Sequence, residues 1–221
     1  MYNISVVFTR HDELGKCNSD ELFKIFESII PDLIFEEIPP SYFDRYYKNK
    51  ERRNLESEAI SKFSEIYKVI HHPVDSDEIP SDSFFDNYYY LHRQIEGLID
   101  INGFNYRNFT DSNKANIETY GFAYLNSVYS DNANDNILEA VEGGLQKISD
   151  EKLHLTYKLW KEINEKRENV MLRNIYNYSK ENRFNKAIFT IGAGHRKSLM
   201  QRIQEFQGQD LININWSFYG N

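Results

Sequence analysis

The sequence is poor in cysteine, proline and glycine, with one, five and ten in 221 residues, and it carries 34 Asp and Glu against 26 Lys and Arg. Each shortage excludes something. The single Cys17 rules out an internal disulfide and a thiolate zinc cluster, and it suits a reducing compartment. A net charge of −8 and a pI near 5.3 argue against nucleic acid as a general partner, because phosphate binding needs a basic face. No apolar run approaches the roughly 18 residues of a spanning helix, and mean hydropathy is −0.66. The first residues pass directly into an apolar run without the basic, apolar and small-residue succession of a secretory leader. Neither a low-complexity tract nor a repeat of solenoid length interrupts the chain. The expectation is one cytoplasmic domain over 1–221, with no membrane and no nucleic-acid partner.

What is present is an alternation of apolar runs and helical stripes. Residues 4–9 form a nearly continuous apolar run ending in Arg10-His11-Asp12, as suits a strand covered on both faces. Asn18 and Glu21 have capping-box spacing before a helix carrying Leu22, Ile25, Phe26, Ile29 and Ile30, closed by Pro31. A second strand at Leu33-Ile34-Phe35 runs into Glu36-Glu37 and stops at Pro39-Pro40. The charged segment 46–58 reads as a solvated face leading into a helix with Ile60, Phe63 and Ile66 inward. A third strand is expected at 67–70, followed by His71-His72-Pro73 and Asp75.

From about 81 to 182 the pattern turns helical and aromatic. Phe84, Tyr88, Leu91, Ile95 and Leu98 form one stripe, with Gly103 as its stop; Ile117, Tyr120, Tyr124, Leu125 and Val128 form another after Asp111-Ser112. At helical spacing such aromatics read as core. Residues 131–135 read as a polar loop, and 136–148 as a helix broken by Gly143-Gly144. In a long helix over 151–181, Leu153, Trp160, Ile163, Met171, Ile175 and Tyr178 share a face with Arg167 in its middle. A buried lone charge costs several kcal/mol or more, so Arg167 should meet a carboxylate or a substrate.

The strand 186–191 breaks at Gly192 and Gly194, presents His195 and enters a helix with Leu199, Ile203 and Phe206 on one face. The glycines permit a sharp turn and close backbone approach, and the new helix offers free N–H groups to an anion or oxyanion. Leu211, Ile212, Ile214, Trp216 and Phe218 suggest a last, edge strand. The expected architecture is α/β, a mostly parallel central sheet with flanking helices and a helical insertion over about 81–182. Ligands in such sheets bind beyond the carboxyl ends of the strands. That edge would collect His11, the pair Glu36 and Glu37, His71 and His72 with Asp75, and His195.

Three stretches taken together carry a resemblance: Val6-Val7-Phe8-Thr9-Arg10-His11, the acidic strand end Glu36-Glu37, and Arg167 with Met171 followed by Gly192-Ala193-Gly194-His195. The pattern resembles the TraB/Tiki superfamily, which is related to pheromone-shutdown, erythromycin-esterase-like and ChaN-like proteins. That family has two Gly-x-x-His motifs, a glutamate on the second strand, and an arginine before the second histidine with a methionine four residues later. Phe8 stands where the first motif has glycine, and Glu168 follows the arginine where Asp or Asn is usual. The resemblance implies an erythromycin-esterase/ChaN-like fold whose members include metal-dependent peptidases, metal-independent esterases with a histidine base, and a haem-binding lipoprotein.

Three readings follow for the site. His11, His195 and Glu36 could hold a divalent metal (Mn, Co or Zn) with a position open for water, giving a metal-dependent hydrolase of a peptide or ester bond. Without metal, His11 or His195 could serve as general base, oriented by Glu36 or Glu37, with Arg167 stabilising the negative transition state. The third reading is a non-catalytic domain that binds or sequesters a peptide or small ligand. Arg10, Asp75, Gly192 and Gly194 are expected to contact the ligand in any of them.

Overall fold

The computed structural model describes residues 2–49, 51–207 and 212–220. Its centre is a sheet of five parallel strands: β1 (Tyr2–Thr9), β2 (Leu33–Glu36), β3 (Ile70–Pro73), β4 (Lys186–Gly192) and β5 (Ile214–Phe218), in the order β3-β2-β4-β1-β5. The interior strands read apolar because both faces are covered. Ile4, Val6, Val7, Phe8, Ile34, Phe35, Ile188, Phe189 and Ile191 are all fully buried. β5 lies at an edge, as its alternation suggests, with Asn215 and Ser217 exposed between more covered residues. Leu211 lies outside the described residues. Past the end of β5 the side chain of Asn126 takes over the ladder, accepting from the Phe8 N–H at 2.8 Å and donating to the Phe8 carbonyl at 2.9 Å.

Helix α1 (Ser19–Ile29) starts at Asn18, whose side chain accepts from the Glu21 N–H, and buries Leu22, Ile25 and Phe26. After a short α2 (Phe43–Tyr47), α3 (Leu55–Ile66) opens on an Asn54–Ser57 capping box and packs on α1 through Phe26, Phe63 and Phe23. The third strand begins three residues later than its apolar run suggests. Tyr67 caps α3, and pairing with β2 starts at Ile70 opposite Leu33, so His71 and His72 lie inside the strand.

The insertion consists of α4 (Asp82–Glu96), α5 (Ile101–Tyr120), α6 (Phe122–Leu125), α7 (Val128–Leu145) and most of α8 (Glu151–Glu181). Several boundary expectations are corrected here. Residues 131–135 are helical, within α7, and Asp111-Ser112 lie inside α5. Gly103 is in the first turn of α5 rather than at a stop; a Cβ there would sit 2.1 Å from the Leu98 carbonyl oxygen. Gly143 and Gly144 do not break α7. They let it approach Asn102 and Ile95, whose atoms a Cβ would meet at 2.8 and 2.9 Å. A main core surrounds the sheet, and a second, formed by Leu91, Ile95, Val141, Leu145, Leu153 and Tyr157, fills the insertion. The long helix α8 contributes to both. No helix among the described residues is long and apolar enough to cross a membrane.

Candidate functional site

The sheet order decides which strand ends meet. β2, β4 and β1 are consecutive neighbours, spaced about 4.8 Å apart. Thr9 pairs with Gly192 and Glu36 with Thr190. Glu37, His195 and His11 therefore leave adjacent strands within a few residues of the last rungs. All three, with Arg167, Gly192 and Gly194, line one cleft of about 650 Å³ at the carboxyl edge. The short 3-10 turn Ala193–His195 carries the histidine into α9 (Arg196–Gln207).

Arg167 is tied to two strand ends. Its Nε and Nη2 hold the Asp75 carboxylate, at 3.1 and 2.7 Å for the shortest contacts, and Nη2 also donates to Glu37 Oε1 at 2.6 Å. Nη1 makes no hydrogen bond among the described residues. Asp75 is buried, does not line the cleft, and seats the arginine. Glu37 Oε2 accepts from the Gly192 N–H at 2.7 Å. Neither Gly192 nor Gly194 has a positive φ. A Cβ at Gly192 would stand 3.4 Å from Glu37 Oε2, an ordinary contact, so the nearness of this carboxylate does not by itself demand glycine. Bonded to Glu37, the Gly192 N–H is not available to a ligand.

His195 lies between two carboxylates. Nδ1 is 2.7 Å from Glu168 Oε1, and Nε2 faces Glu37 Oε1 at 3.5 Å. Burial opposes protonation of His195, but the bonds to Glu168 and Glu37 outweigh it and raise the imidazole to about 9. Burial likewise opposes ionisation of Glu37, and His195, Arg167 and His11 overcome it to hold this carboxyl well below the usual range. Glu168 is completed by Ser198 Oγ and Arg202 Nε, each donating at 2.7 Å, and its pKa is lowered chiefly by His195 against the pull of burial.

His11 is held at Nδ1 by Glu56 Oε1 at 3.2 Å, and Thr9 Oγ1 donates to the same oxygen at 2.6 Å. The Glu56 hydrogen bond raises His11 to about 9 against desolvation. Its side chain is 55% exposed, whereas that of His195 is 12% exposed. Solvent therefore screens the single Glu56 contact far more than the pair around His195.

Glu36 stands apart from this cluster. Its buried carboxylate bonds His71 Nδ1 at 2.8 Å and the Tyr47 hydroxyl, and burial raises its pKa despite those partners. Successive residues at the strand end diverge, so Glu37 turns to the cleft and Glu36 away from it. His72 packs against Phe35 and Tyr178, and neither His71 nor His72 lines the cleft. The metal set of His11, His195 and Glu36 is thus not brought together. Among the described residues no group of three or more His, Cys, Asp or Glu could hold a metal ion. The donor chemistry agrees, because an imidazolium gripped by two carboxylates has no lone pair to offer, and Glu37 is already spent on a guanidinium and an amide.

Several contributors are not evident from the sequence pattern. Glu56 belongs to the charged run read as solvated, yet it is buried, with Oε2 lacking a hydrogen-bond partner among the described residues. Glu168 left a signal: at spacing 168, 171, 172 and 175 it shares the stripe of Met171, Leu172 and Ile175, all buried. The wall opposite the charged floor comes from the insertion. Tyr88 stacks on Trp160 at 5.3 Å and Tyr157 on Trp160 at 5.9 Å, with His92 beside them. Tyr88 and Trp160 read as core from their spacing, and Tyr157 joins the second core, but all three rings also border the cleft. Comparison with protein-family models, curated proteins and solved structures finds no match to this chain.

Proposed function

We propose that the cleft is the active site of a metal-independent hydrolase acting on an ester or closely related acyl bond. The observation that carries this reading is the pair of imidazoles of unequal accessibility on one cleft, each oriented at Nδ1 by a buried carboxylate, with the Arg167 guanidinium held at the neighbouring ends of β2 and β3. His11, half in solvent and held by one carboxylate, is the general base. It takes a proton from water as the water oxygen bonds to the acyl carbon. Arg167 Nη1 accepts the negative charge that develops on the carbonyl oxygen. His195, kept protonated by Glu168 and Glu37, donates from Nε2 to the departing alkoxide as the C–O bond breaks. The products are a carboxylic acid and an alcohol; His11 then gives its proton to solvent and His195 takes one from solvent, which restores both.

Glu37 is too acidic to serve as base in this scheme; it holds Arg167 and His195 in place. The resemblance to TraB/Tiki-type and erythromycin-esterase-like proteins supports a hydrolytic role and includes the metal-free branch. A screen of chromogenic aryl esters and peptides with purified protein tests the proposal. Turnover should persist in chelator and fall about 10²-fold or more in His195→Asn and in His11→Asn. Loss in chelator with recovery on Mn²⁺ or Co²⁺ would replace it with the metal reading. Tight ligand retention with no turnover of any substrate would replace it with the sequestering one.

A further inference from the structure

Arg10, the residue before His11, borders a second cavity of about 290 Å³ that adjoins the main cleft through His11, Asn134, Gly192 and Gly194. The side chain is only partly exposed. Its Nε is buried without a hydrogen-bond partner among the described residues, and its two Nη nitrogens make no hydrogen bond or ion pair there either. Asp12 borders the same cavity and forms no ion pair with it. The other half-buried and buried cations near the cleft, Arg167 and Arg202, are each matched by carboxylates. An unmatched, partly desolvated guanidinium is costly, and the cost is recovered when an anion meets it.

The rest of the lining suits an oxyanion. Asn113 accepts from the Tyr124 hydroxyl through Oδ1 at 2.7 Å, which leaves its amide hydrogens free to donate. The Ser130 hydroxyl and the Asn134 amide line the cavity without side-chain hydrogen bonds among the described residues. A Cβ at Gly194 would meet nothing within 4 Å, so the passage toward the main cleft is open. We propose that Arg10, Asn113, Ser130 and Asn134 form a subsite for a carboxylate or phosphate group. Resting on the hydrolase reading of the adjoining cleft, the substrate class is then an acidic ester, with its anionic group in this subsite and its acyl carbon near His11 and His195. A fork of two Nη donors favours planar or tetrahedral oxyanions over halide.

The test is a titration of the protein by NMR or calorimetry with inorganic phosphate and, separately, with acetate, at ionic strength held constant with chloride. Wild type should bind at least one of the two saturably in the millimolar range, about tenfold or more tighter than Arg10→Gln, while Lys24→Gln, which removes a distant surface cation, binds as wild type does. Whichever anion binds identifies the substituent. Should Arg10→Gln fold poorly, Arg10→Lys keeps the charge without the fork and should bind more weakly than wild type. No saturable binding by wild type, or equal binding by folded Arg10→Gln or Arg10→Lys, would overturn the subsite. An ester series then separates the two proposals: the ratio of kcat/KM for a carboxylate-bearing ester to that for its neutral analogue should fall in Arg10→Gln. If no ester turns over, the hydrolase reading fails, and the anion titration still decides the subsite.

Discussion

At the scale of single residues, Glu37 is the joint of the site, since its two oxygens reach Arg167, His195 and the Gly192 amide. Glu37→Gln would remove the charge while leaving the buried guanidinium, and unfolding titrations should show a loss of about 3 kcal/mol. His195 makes stability depend on pH in a defined direction. Its pKa is raised from 6.5 to about 9 in the folded protein, so the contribution is complete below pH 6.5 and is lost as pH rises through about 9. Denaturant midpoints at pH 6 and pH 10 should therefore differ more for wild type than for His195→Gln. The same titration gives the falling limb of activity, near pH 9, and His11, which must be neutral to act as base and is also raised to about 9, puts the rising limb beside it, so activity should peak near pH 9 and be low at pH 7. A pH profile that stays flat between 7 and 10 would remove both histidines from acid-base roles.

The elements explain why such a charged cluster can persist in the fold. α8 delivers Arg167 to the ends of β2 and β3 and, one residue on, Glu168 to α9, while Asn174 donates to the Val74 carbonyl at 2.9 Å and pins the exit of β3 to the same helix. A helix of 31 residues spans about 46 Å, long enough to pass from the insertion's core to the sheet's core. On the far side of β2, Glu36 bonds His71 and Tyr47 and ties α2 to β3, which is a structural latch. The insertion depends on the tight turn from α4 into α5. Gly103→Ala would drive a methyl against the Leu98 backbone oxygen, 2.1 Å away, and no rotamer change relieves a backbone clash. Its expected cost is about 2 kcal/mol or more, read as a lowered Tm.

On the scale of the whole molecule, the cleft lies where the insertion's core and the sheet's core face one another, so the charged floor and the aromatic wall have separate origins. Trp160 is the ring that joins that wall, stacked with both Tyr88 and Tyr157. Trp160→Ala should raise KM for aryl esters several-fold with kcat changed much less, because the ring offers a stacking surface and no proton to the proposed transfers. A fall in kcat with KM unchanged would instead place the wall among the groups that act in the transition state.

The fold class was legible in the amino-acid order because parallel strands buried on both faces read as apolar runs, and because caps such as Asn18 and Asn54 carry local signals. Arg167 in its stripe and the residues ending the strands, His11, Glu37 and His195, were legible for the same reason: polarity interrupts an apolar pattern. Local order could not choose between Glu36 and Glu37, since a single step along the chain reverses the face and only pairing with β4 and β3 fixes the register. It hid Glu56 inside a charged run, and it hid the cleft-lining rings because a half-covered aromatic has the same helical spacing as a buried one. Those choices belong to the tertiary structure. They depend on which strand ends lie side by side and on which carboxylates are drawn out of water by partners distant in sequence, as Glu37 is by Arg167, 130 residues away.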